Sequence, residues 1–424
     1  MKWALLAAVL AACNGTSGTL AVSLATAPGS TVLDSADTLE LILTNPHRVT
    51  TAHRGSGGFS IELDLPATNT TSSLIVDAFD ASGALVATGA SPAFPLGAID
   101  AKVVIYMAAP DSIAAAPIAL APARSDVGTG TLAYGALFAG GRDASGAASD
   151  AVAIYNTYDH SLVAGMALPA ARAGLVVGIG ANDIAYLFGG SDASGAATDT
   201  LWRFDTNIAP NGAYVDYGDK AGFARADQLA LPLGSDTFLV TGAPPAELSG
   251  LDGSLAPRSE LAALPAAGAT VLGTDGTVTT ILAGAAGIVR FRTDMFDTLA
   301  AADQTGAAVT ALPGGRVLVA CGAGGGVVVD AATGGMQPVA IPMTPRTGCA
   351  LAATSRHLLV VGGATAELYD ATSLAYSMTI PLVAARTSAR AVPLPNDQIL
   401  IASGVDASGA PVDTLELFTP EPVE

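Results

Sequence analysis

The chain has 424 residues, of which half are hydrophobic, and 37 acidic against 18 basic side chains give it a formal net charge of −19. This charge repels phosphate backbones and anionic membrane surfaces, so nucleic acid is not expected as a partner. No internal apolar run reaches the roughly 18 residues that a membrane-spanning helix needs. The 48 glycines and 25 prolines between short apolar runs indicate a turn-rich β protein.

The first 13 residues predict a secretory signal, because one lysine precedes a short apolar stretch that ends in small residues. A first β-strand is the alternative. Leu10-Ala11-Ala12-Cys13 resembles the cleavage box of bacterial lipoproteins. The resemblance implies that Cys13 becomes a lipid-modified N-terminus, so that acyl chains alone contact the membrane. Asn14 favours the outer membrane by the usual sorting pattern, and residues 14–18 are predicted as a flexible tether.

Residues 19–108 predict a small antiparallel β-sandwich. Apolar or alternating runs lie at 20–24, 39–43, 59–65, 74–79, 85–88 and 103–106, with turn residues between them. Asp80-Ala81-Ser82-Gly83 is typical of a hairpin turn. An immunoglobulin-like or transthyretin-like module fits this pattern.

From residue 112 to the C-terminus, a short apolar strand followed by glycine recurs seven times. The last glycine of each occurrence stands at 141, 190, 242, 284, 322, 363 and 404, so the spacings are 49, 52, 42, 38, 41 and 41 residues. A period of about 40 to 50 residues is typical of the blades of a β-propeller.

The sixth repeat carries Arg346 before its first strand, Gly362-Gly363 after its second, and Tyr369-Asp370 in its third. This resembles the kelch repeat, which implies a seven-bladed kelch-type β-propeller over residues 112–424. Repeats four and five lack the arginine and the second glycine. If either is not a blade, the propeller has six blades.

The seventh repeat ends at Leu417-Phe418, with too few residues after it for a fourth strand. Residues 116–121 form an apolar run before the first repeat, in the position that a fourth strand takes in the others. We therefore predict that this N-terminal strand completes the last blade and closes the ring, which removes an open sheet edge.

Five arginines stand 17 or 18 residues before their anchor glycine: Arg124, Arg172, Arg225, Arg346 and Arg386. Equivalent positions in a closed propeller surround one end of the axis, so these side chains are predicted to form a basic funnel suited to carboxylate or sulfate groups. The structural alternative is that each arginine caps carbonyl groups or pairs with an acid of an adjacent blade.

Once Cys13 is set aside, Cys321 and Cys349 remain, an even number suited to an oxidising compartment. Their places in the repeat predict that they meet across a blade boundary as a disulfide, and two buried free thiols are the alternative. Three loops of the form Asp-Ala-Ser-Gly-Ala, beginning at 143, 192 and 406, are interpreted as turns rather than as a metal site.

The four histidines do not supply the ligands of a copper radical oxidase, and no catalytic constellation follows from spacing. No catalytic residue, cofactor or metal is therefore predicted. The leading hypothesis is a monomeric, lipid-anchored cell-envelope protein, of the kelch type by resemblance, that binds a protein, glycan or small anionic ligand through its loops without catalysis. The alternative is a carbohydrate-active or oxidase-type enzyme whose site is not recognisable.

Overall fold

A computed structural model describes residues 17–55, 59, 62–66, 70–97, 102–346 and 348–422. Within these ranges the chain is all-β, with 36 strands and a single 3-10 turn, Ala181–Asp183. The predicted signal and Cys13 lie outside the described residues. No helix in the described part of the chain has the length and apolarity needed to cross a membrane.

The N-terminal region forms a four-stranded sheet in the order β3-β2-β6-β7, a three-stranded sheet in the order β4-β1-β9, and a short β5-β8 pair. The bounds are β1 Ser17–Ala25, β2 Ala36–Thr44, β3 His47–His53, β4 Glu62–Pro66, β5 Thr71–Ser72, β6 Leu74–Asp80, β7 Leu85–Ala90, β8 Phe94–Pro95 and β9 Lys102–Tyr106. Leu39, Leu41 and Val76 are among its buried core residues. Alternation of such residues with polar ones explains why one sheet face is buried.

Three details of this region differ from the prediction. The edge strand β3 was not predicted, because its sequence is mostly polar and almost all of it is exposed. β1 pairs with β9 in parallel, whereas a purely antiparallel sandwich was expected. β1 also begins at Ser17, which pairs with Pro66, so the last two residues of the predicted tether lie in a strand.

The repeat region begins with β10 (Ser112–Ala115) and continues as seven consecutive sheets, called sheets 1 to 7. Sheets 1 to 3 are β11 Gly128–Leu132, β12 Gly135–Ala139, β13 Val152–Asn156 and β14 Ser161–Ala164; β15 Val176–Ile179, β16 Ile184–Phe188, β17 Thr200–Asp205 and β18 Ala213–Asp219; and β19 Ala230–Pro232, β20 Thr237–Val240, β21 Ala246–Ser249 and β22 Leu255–Pro257.

Sheets 4 and 5 are β23 Ala267–Leu272, β24 Val278–Gly284, β25 Gly287–Arg292 and β26 Met295–Ala300; and β27 Ala308–Leu312, β28 Arg316–Ala320, β29 Gly326–Asp330 and β30 Met336–Val339. Sheet 6 is β31 Ala350–Ala353, β32 His357–Asp370 and β33 Tyr376–Arg386, and sheet 7 is β34 Arg390–Pro393, β35 Ile399–Ala402 and β36 Glu416–Thr419, together with β10. The degenerate fourth and fifth repeats therefore each form a four-stranded sheet. The prediction of an all-β, propeller-like chain is confirmed.

The core of the repeat region lies between neighbouring sheets. Leu137 of sheet 1 packs in one cluster with Leu187 and Trp202 of sheet 2. Phe138 of sheet 1 packs in another with Leu400 of sheet 7, the last sheet in the chain. Second strands such as β12 are buried on both faces, which explains why they are continuous apolar runs. The first strands of successive sheets contact one another, and β34 of sheet 7 contacts β11 of sheet 1.

An N-terminal strand completes sheet 7, as predicted, because β10 pairs antiparallel with β36. The strand lies earlier than expected, at Ser112–Ala115 rather than 116–121. Pro117 lacks the N–H group that a ladder position requires, which explains why regular pairing ends before it. Ala116 and Leu120 still donate single backbone hydrogen bonds to Leu415 and Asp413.

Candidate functional site

The anchor glycines mark one end of sheets 1 to 7, called here the loop face, where second strands end and first strands begin. Gly140 and Gly141 have φ angles of 61° and 111°, which side chains other than glycine rarely adopt. A Cβ atom on Gly140 would overlap the carbonyl oxygen of Arg172 in the next sheet. The N–H of Gly141 donates to that oxygen at 2.8 Å. The glycine pair therefore allows two sheets to approach closely.

The same type of junction recurs around the sheets. Gly190 N–H donates to the carbonyl of Arg225 at 2.8 Å, which joins sheets 2 and 3. Between sheets 7 and 1, the Ser403 hydroxyl donates to the carbonyl of Arg124 at 2.8 Å. Residues at the anchor position, or directly before it in sheet 7, thus donate to the carbonyl of the repeat arginine of the next sheet.

The five repeat arginines direct their guanidinium groups into backbone carbonyls, and Arg346 and Arg386 also bond a glutamate. The contacts are Arg124 Nη1 to Gly140 O at 2.6 Å, Arg172 Nη1 to Ala171 O at 2.9 Å, Arg225 Nη2 to Pro244 O at 3.0 Å, Arg346 Nη1 to Thr365 O at 2.7 Å and Arg386 Nη1 to Thr414 O at 2.8 Å. Burial lowers the pKa of Arg124 and Arg225 to about 10. This geometry supports the structural alternative. Three donors of these groups, Arg124 Nη2, Arg172 Nε and Arg346 Nε, are buried without a hydrogen-bond partner among the described residues.

Two buried glutamates, which were not predicted, complete the arginine contacts of sheets 6 and 7. Glu416 and Arg386 form an ion pair whose side chains are both 0% exposed. The carboxylate of Glu416 also accepts the N–H groups of Val383 and Ala384, at 2.8 and 3.1 Å. Glu367 pairs with Arg346 in the same way. The signal was present in the sequence as Thr-x-Glu-Leu-aromatic at 365–369 and 414–418.

The residue two positions after each repeat arginine has a left-handed backbone. These residues link neighbouring sheets at the loop face: Gly174 N–H donates to Asp126 O at 2.8 Å, Asp227 N–H to Gly174 O at 2.9 Å, and Ser388 N–H to Gly348 O at 3.2 Å. Sheets 4 and 5 lack the arginine. Other contacts link them to their neighbours, such as the hydrogen bond from the Gln304 N–H to Gly284 O. The regular series of hydrogen bonds between these loops is therefore interrupted at sheets 4 and 5.

A cavity of about 330 Å³, called here the loop-face cavity, opens on this interrupted side. Its walls come from sheets 3 to 7 and consist of small or aliphatic residues apart from Cys349 and Arg390: Leu229, 266–268, 307–309, 349–351 and 389–391. Arg390, the first residue of β34, is the one charged residue in this lining. Its side chain is exposed, and it has no hydrogen-bond or salt-bridge partner among the residues that the structure describes.

Two carboxylates from the segments before the first strands of sheets 1 and 3, Asp126 and Asp227, interact with each other, and Asp227 also interacts with Arg390. Partial desolvation and the charge of Asp126 raise the pKa of Asp227, while Arg390 and Arg142 partly offset that rise. Asp126 is itself paired with Arg142 at 3.3 Å. Arg390 is thus close enough to Asp227 to affect its ionisation while its donors remain unused.

Cys321 and Cys349 form a disulfide with a Cα–Cα distance of 6.3 Å. The bridge joins the end of the second strand of sheet 5 to the segment before the first strand of sheet 6. Cys349 also lines the loop-face cavity, so the bridge supports part of its wall.

The repeated Asp-Ala-Ser-Gly-Ala loops are side-chain-stabilised turns. Asp143 Oδ1 accepts the Ser145 N–H at 2.8 Å and the Ser145 hydroxyl at 2.6 Å. These hydrogen bonds lower the pKa of Asp143, and the equivalent aspartates at 80, 192 and 406 have the same bonds and the same direction of shift. No cluster of three or more metal-ligating side chains occurs in the described ranges.

The N-terminal sheets dock at the other end of the repeat region, away from the loop face. Asn396, in the hairpin between β34 and β35, donates to Ala90 O at 2.9 Å. Tyr158, in the hairpin between β13 and β14, donates through its hydroxyl to Ala93 O at 2.7 Å. A smaller cavity of about 200 Å³ lies along this contact. The described N-terminal sheets therefore leave the loop face uncovered.

The docked end also contains a buried histidine. His160 is 3% exposed, and its Nδ1 lies 2.7 Å from the hydroxyl of Tyr155. Its Nε2 has no partner in the described structure. Burial lowers the pKa of His160 to about 4, so the ring is neutral at physiological pH.

Comparison with known proteins adds no homologous site to this geometry. No protein-family model matches the chain, and no curated protein matches it.

Proposed function

We propose that this chain is a non-enzymatic binding protein of the bacterial cell envelope, anchored by lipid at Cys13, that binds its ligand on the loop face of a kelch-type propeller. The loop-face cavity, with the unpartnered Arg390 in its wall, is the observation that carries the proposal. The cavity is lined by aliphatic side chains together with backbone polar groups and one guanidinium, and a concave pocket that combines apolar walls with a few placed polar groups is the usual form of a ligand site. The ligand classes are protein, glycan and small anion.

The proposed architecture is a closed seven-bladed propeller after an immunoglobulin-like sandwich. Seven sheets whose first strands contact in succession, with β34 against β11, support a closed ring. The Ser403–Arg124 bond supports closure as well, because it repeats between sheets 7 and 1 the junction found between earlier sheets. Pairing of β10 with β36 also supports closure, because both ends of the repeat region then belong to one sheet.

The position of the proposed lipid anchor is compatible with a loop face that stays accessible to a ligand. The lipidated cysteine would precede β1 by only three residues, and the N-terminal sheets dock at the end opposite the loop face. A monomer held at its N-terminus would therefore present the loop face away from its docked sandwich. Labelling with a radioactive fatty acid tests the anchor: label is expected on the native protein and absent from Cys13→Ser, and an unlabelled native protein would remove this part of the proposal.

Three substitutions test binding at the loop face without disturbing its core. Ala144, Ala193 and Ala407 are exposed second residues of the Asp-Ala-Ser-Gly-Ala loops, so tryptophan at all three would crowd the face. Ala81 is an exposed residue in the same turn sequence of the N-terminal region, and Ala81→Trp is therefore a matched control. The chain from residue 15 keeps every described residue and avoids the lipid.

This soluble chain is screened against glycans and small anions, and each ligand found is titrated with the variants. The proposal expects at least about tenfold weaker binding for the triple variant, equal to roughly 1.4 kcal/mol, and no change for Ala81→Trp. Equal affinities for the triple variant and the parent chain would contradict it. Equal losses in both variants would place the ligand elsewhere.

A further inference from the structure

We infer that the loop-face cavity binds a single carboxylate group carried on a short aliphatic body, with Arg390 as its cationic partner. This inference rests on the proposed function and narrows its ligand to one chemical class. Four observations support it: Arg390 lacks a bonding partner, carboxylates lie near it, the cavity walls are aliphatic, and the first strands have one edge that is not paired within their sheets.

Arg390 differs from the other arginines of the repeat region. Five arginines form ion pairs with carboxylates, and some of them also donate to backbone carbonyls: Arg142, Arg203, Arg258, Arg290 and Arg292. The five repeat arginines donate to carbonyls, as do Arg316 and Arg356. Among the described arginines of the repeat region, Arg390 alone has its whole guanidinium fork available, and this fork matches a carboxylate in a bidentate arrangement.

The neighbouring carboxylates restrict the charge of the ligand. Asp227 is close enough to Arg390 for the guanidinium charge to lower the pKa of Asp227, and Asp126 adds negative charge beside Asp227. A ligand with one negative charge gains the attraction of Arg390 at little cost from these acids. For a dianion such as sulfate, attraction and repulsion both double, whereas the cost of removing its hydration shell grows with the square of the charge. The site is therefore expected to prefer monocarboxylates to sulfate.

The walls restrict the body of the ligand. Leu229, Val309 and Leu351 and the alanines between them offer aliphatic surface without further charge. A volume of about 330 Å³ lies near the lower limit of ligand pockets, which span roughly 300–1,000 Å³. The carboxylate therefore belongs to a small aliphatic molecule or to the end of a chain that enters only by its last residues.

The first strands add hydrogen-bonding capacity. Within their sheets β23, β27, β31 and β34 each pair on one side only, with the second strand. An edge strand leaves N–H and C=O groups free to pair with another backbone. The amide groups next to the carboxylate of a peptide C-terminus can use these positions, whereas a free aliphatic acid would be held by Arg390 and the aliphatic walls alone.

Isothermal titration of the soluble chain from residue 15 separates these sources with four probes. N-acetyl-Ala-Ala carries a C-terminal carboxylate, its C-terminal amide is the neutral match, butyrate is a free aliphatic acid, and sodium sulfate is the dianion. We expect N-acetyl-Ala-Ala to bind at least about tenfold more tightly than its amide and than sulfate. Comparable butyrate affinity would identify a small-acid site, and much weaker butyrate binding would identify a chain-end site.

Three variants assign the binding to Arg390. Arg390→Gln is expected to weaken carboxylate binding about 10- to 100-fold, the range of a charge-assisted hydrogen bond, and Arg390→Lys to restore part of it. Arg48→Gln removes an equal charge from the exposed strand β3 and is expected to change nothing. Because Arg390 is exposed and unpartnered, its variants should fold like the parent, which circular dichroism verifies.

Two results would overturn the inference. One is the absence of carboxylate binding at about 1 mM probe, and the other is binding that Arg390→Gln leaves unchanged. If another ligand still binds the loop face and is lost in the triple tryptophan variant, the proposed function stands while the carboxylate inference fails. If that screen also fails, both fail.

Discussion

Acid should destabilise this protein through His160. The folded chain holds this ring with a pKa of about 4, whereas an unfolded chain has a histidine pKa near 6.5. Between these values the unfolded state binds a proton that the folded state does not. Stability from the neutral ring is therefore fully present above pH ~6.5 and is lost as the pH falls toward 4. A difference of about 2.5 pKa units corresponds to roughly 3 kcal/mol.

The matched variant is His160→Asn, because asparagine does not titrate and tolerates the left-handed backbone of this residue, with φ of 52°. Denaturant unfolding is followed by circular dichroism at pH 7 and pH 4 in the parent chain and the variant. Between these values the parent should lose about 3 kcal/mol more unfolding free energy than His160→Asn. His47→Asn, at an exposed position, should retain the pH dependence of the parent.

Equal pH dependence in the parent and His160→Asn would refute this reasoning. It would mean that the His160 ring is protonated in the folded state or is already hydrated. If His47→Asn changed the pH dependence by the same amount, the loss of unfolding free energy would come from the overall charge of the protein and not from His160.

Two further perturbations test the sheet junctions, both measured as unfolding free energies. Glu416→Gln leaves the guanidinium of Arg386 buried without its countercharge and should cost about 3–5 kcal/mol, while Glu421→Gln at the exposed rim should change stability by less than about 0.5 kcal/mol. A loss below ~1 kcal/mol for Glu416→Gln would show that the pair is hydrated. Gly146→Ala strains only the backbone of an open turn and should cost about 1–2 kcal/mol. Gly140→Ala should cost about 1–3 kcal/mol more, because its Cβ overlaps a carbonyl of the next sheet, and equal costs would contradict the close junction.

Much of the strand order was predictable because it follows local patterns. Second strands are buried on both faces, so each is an apolar run that ends at a glycine, and this signal survives even in the fourth and fifth repeats. β3 escaped prediction since an exposed edge strand needs no hydrophobic alternation. The closing strand was displaced by four residues because the apolar run 116–121 was more visible than Ser112–Ala115, although Pro117 prevents its pairing.

The candidate site was less predictable, for a physical reason. Sequence repetition identifies residues that have the same structural role in several sheets. The donors of such residues are already used in structural contacts, as the hydrogen bond from Arg124 to the carbonyl of Gly140 illustrates. Arg390 follows the last of these arginines by four residues and belongs to no repeated pattern. Its significance depends on a missing partner and on the absence of the repeated arginine contacts at sheets 4 and 5. Both are properties of the assembled sheets and not of any local stretch of sequence.

The pairing of β10 with β36 has a consequence for the order of folding. Ser112 pairs with Thr419, so this sheet cannot form until almost the whole chain is available. Contacts between residues that are so distant in sequence form slowly. Until β36 is available, β10 keeps an unpaired, exposed edge. Sheets 1 to 6 draw on consecutive strands and can assemble earlier. A chain that stops before Glu416 would therefore lose the partner of its first repeat-region strand, and its most aggregation-prone edge would lie near its beginning, far from the point of truncation.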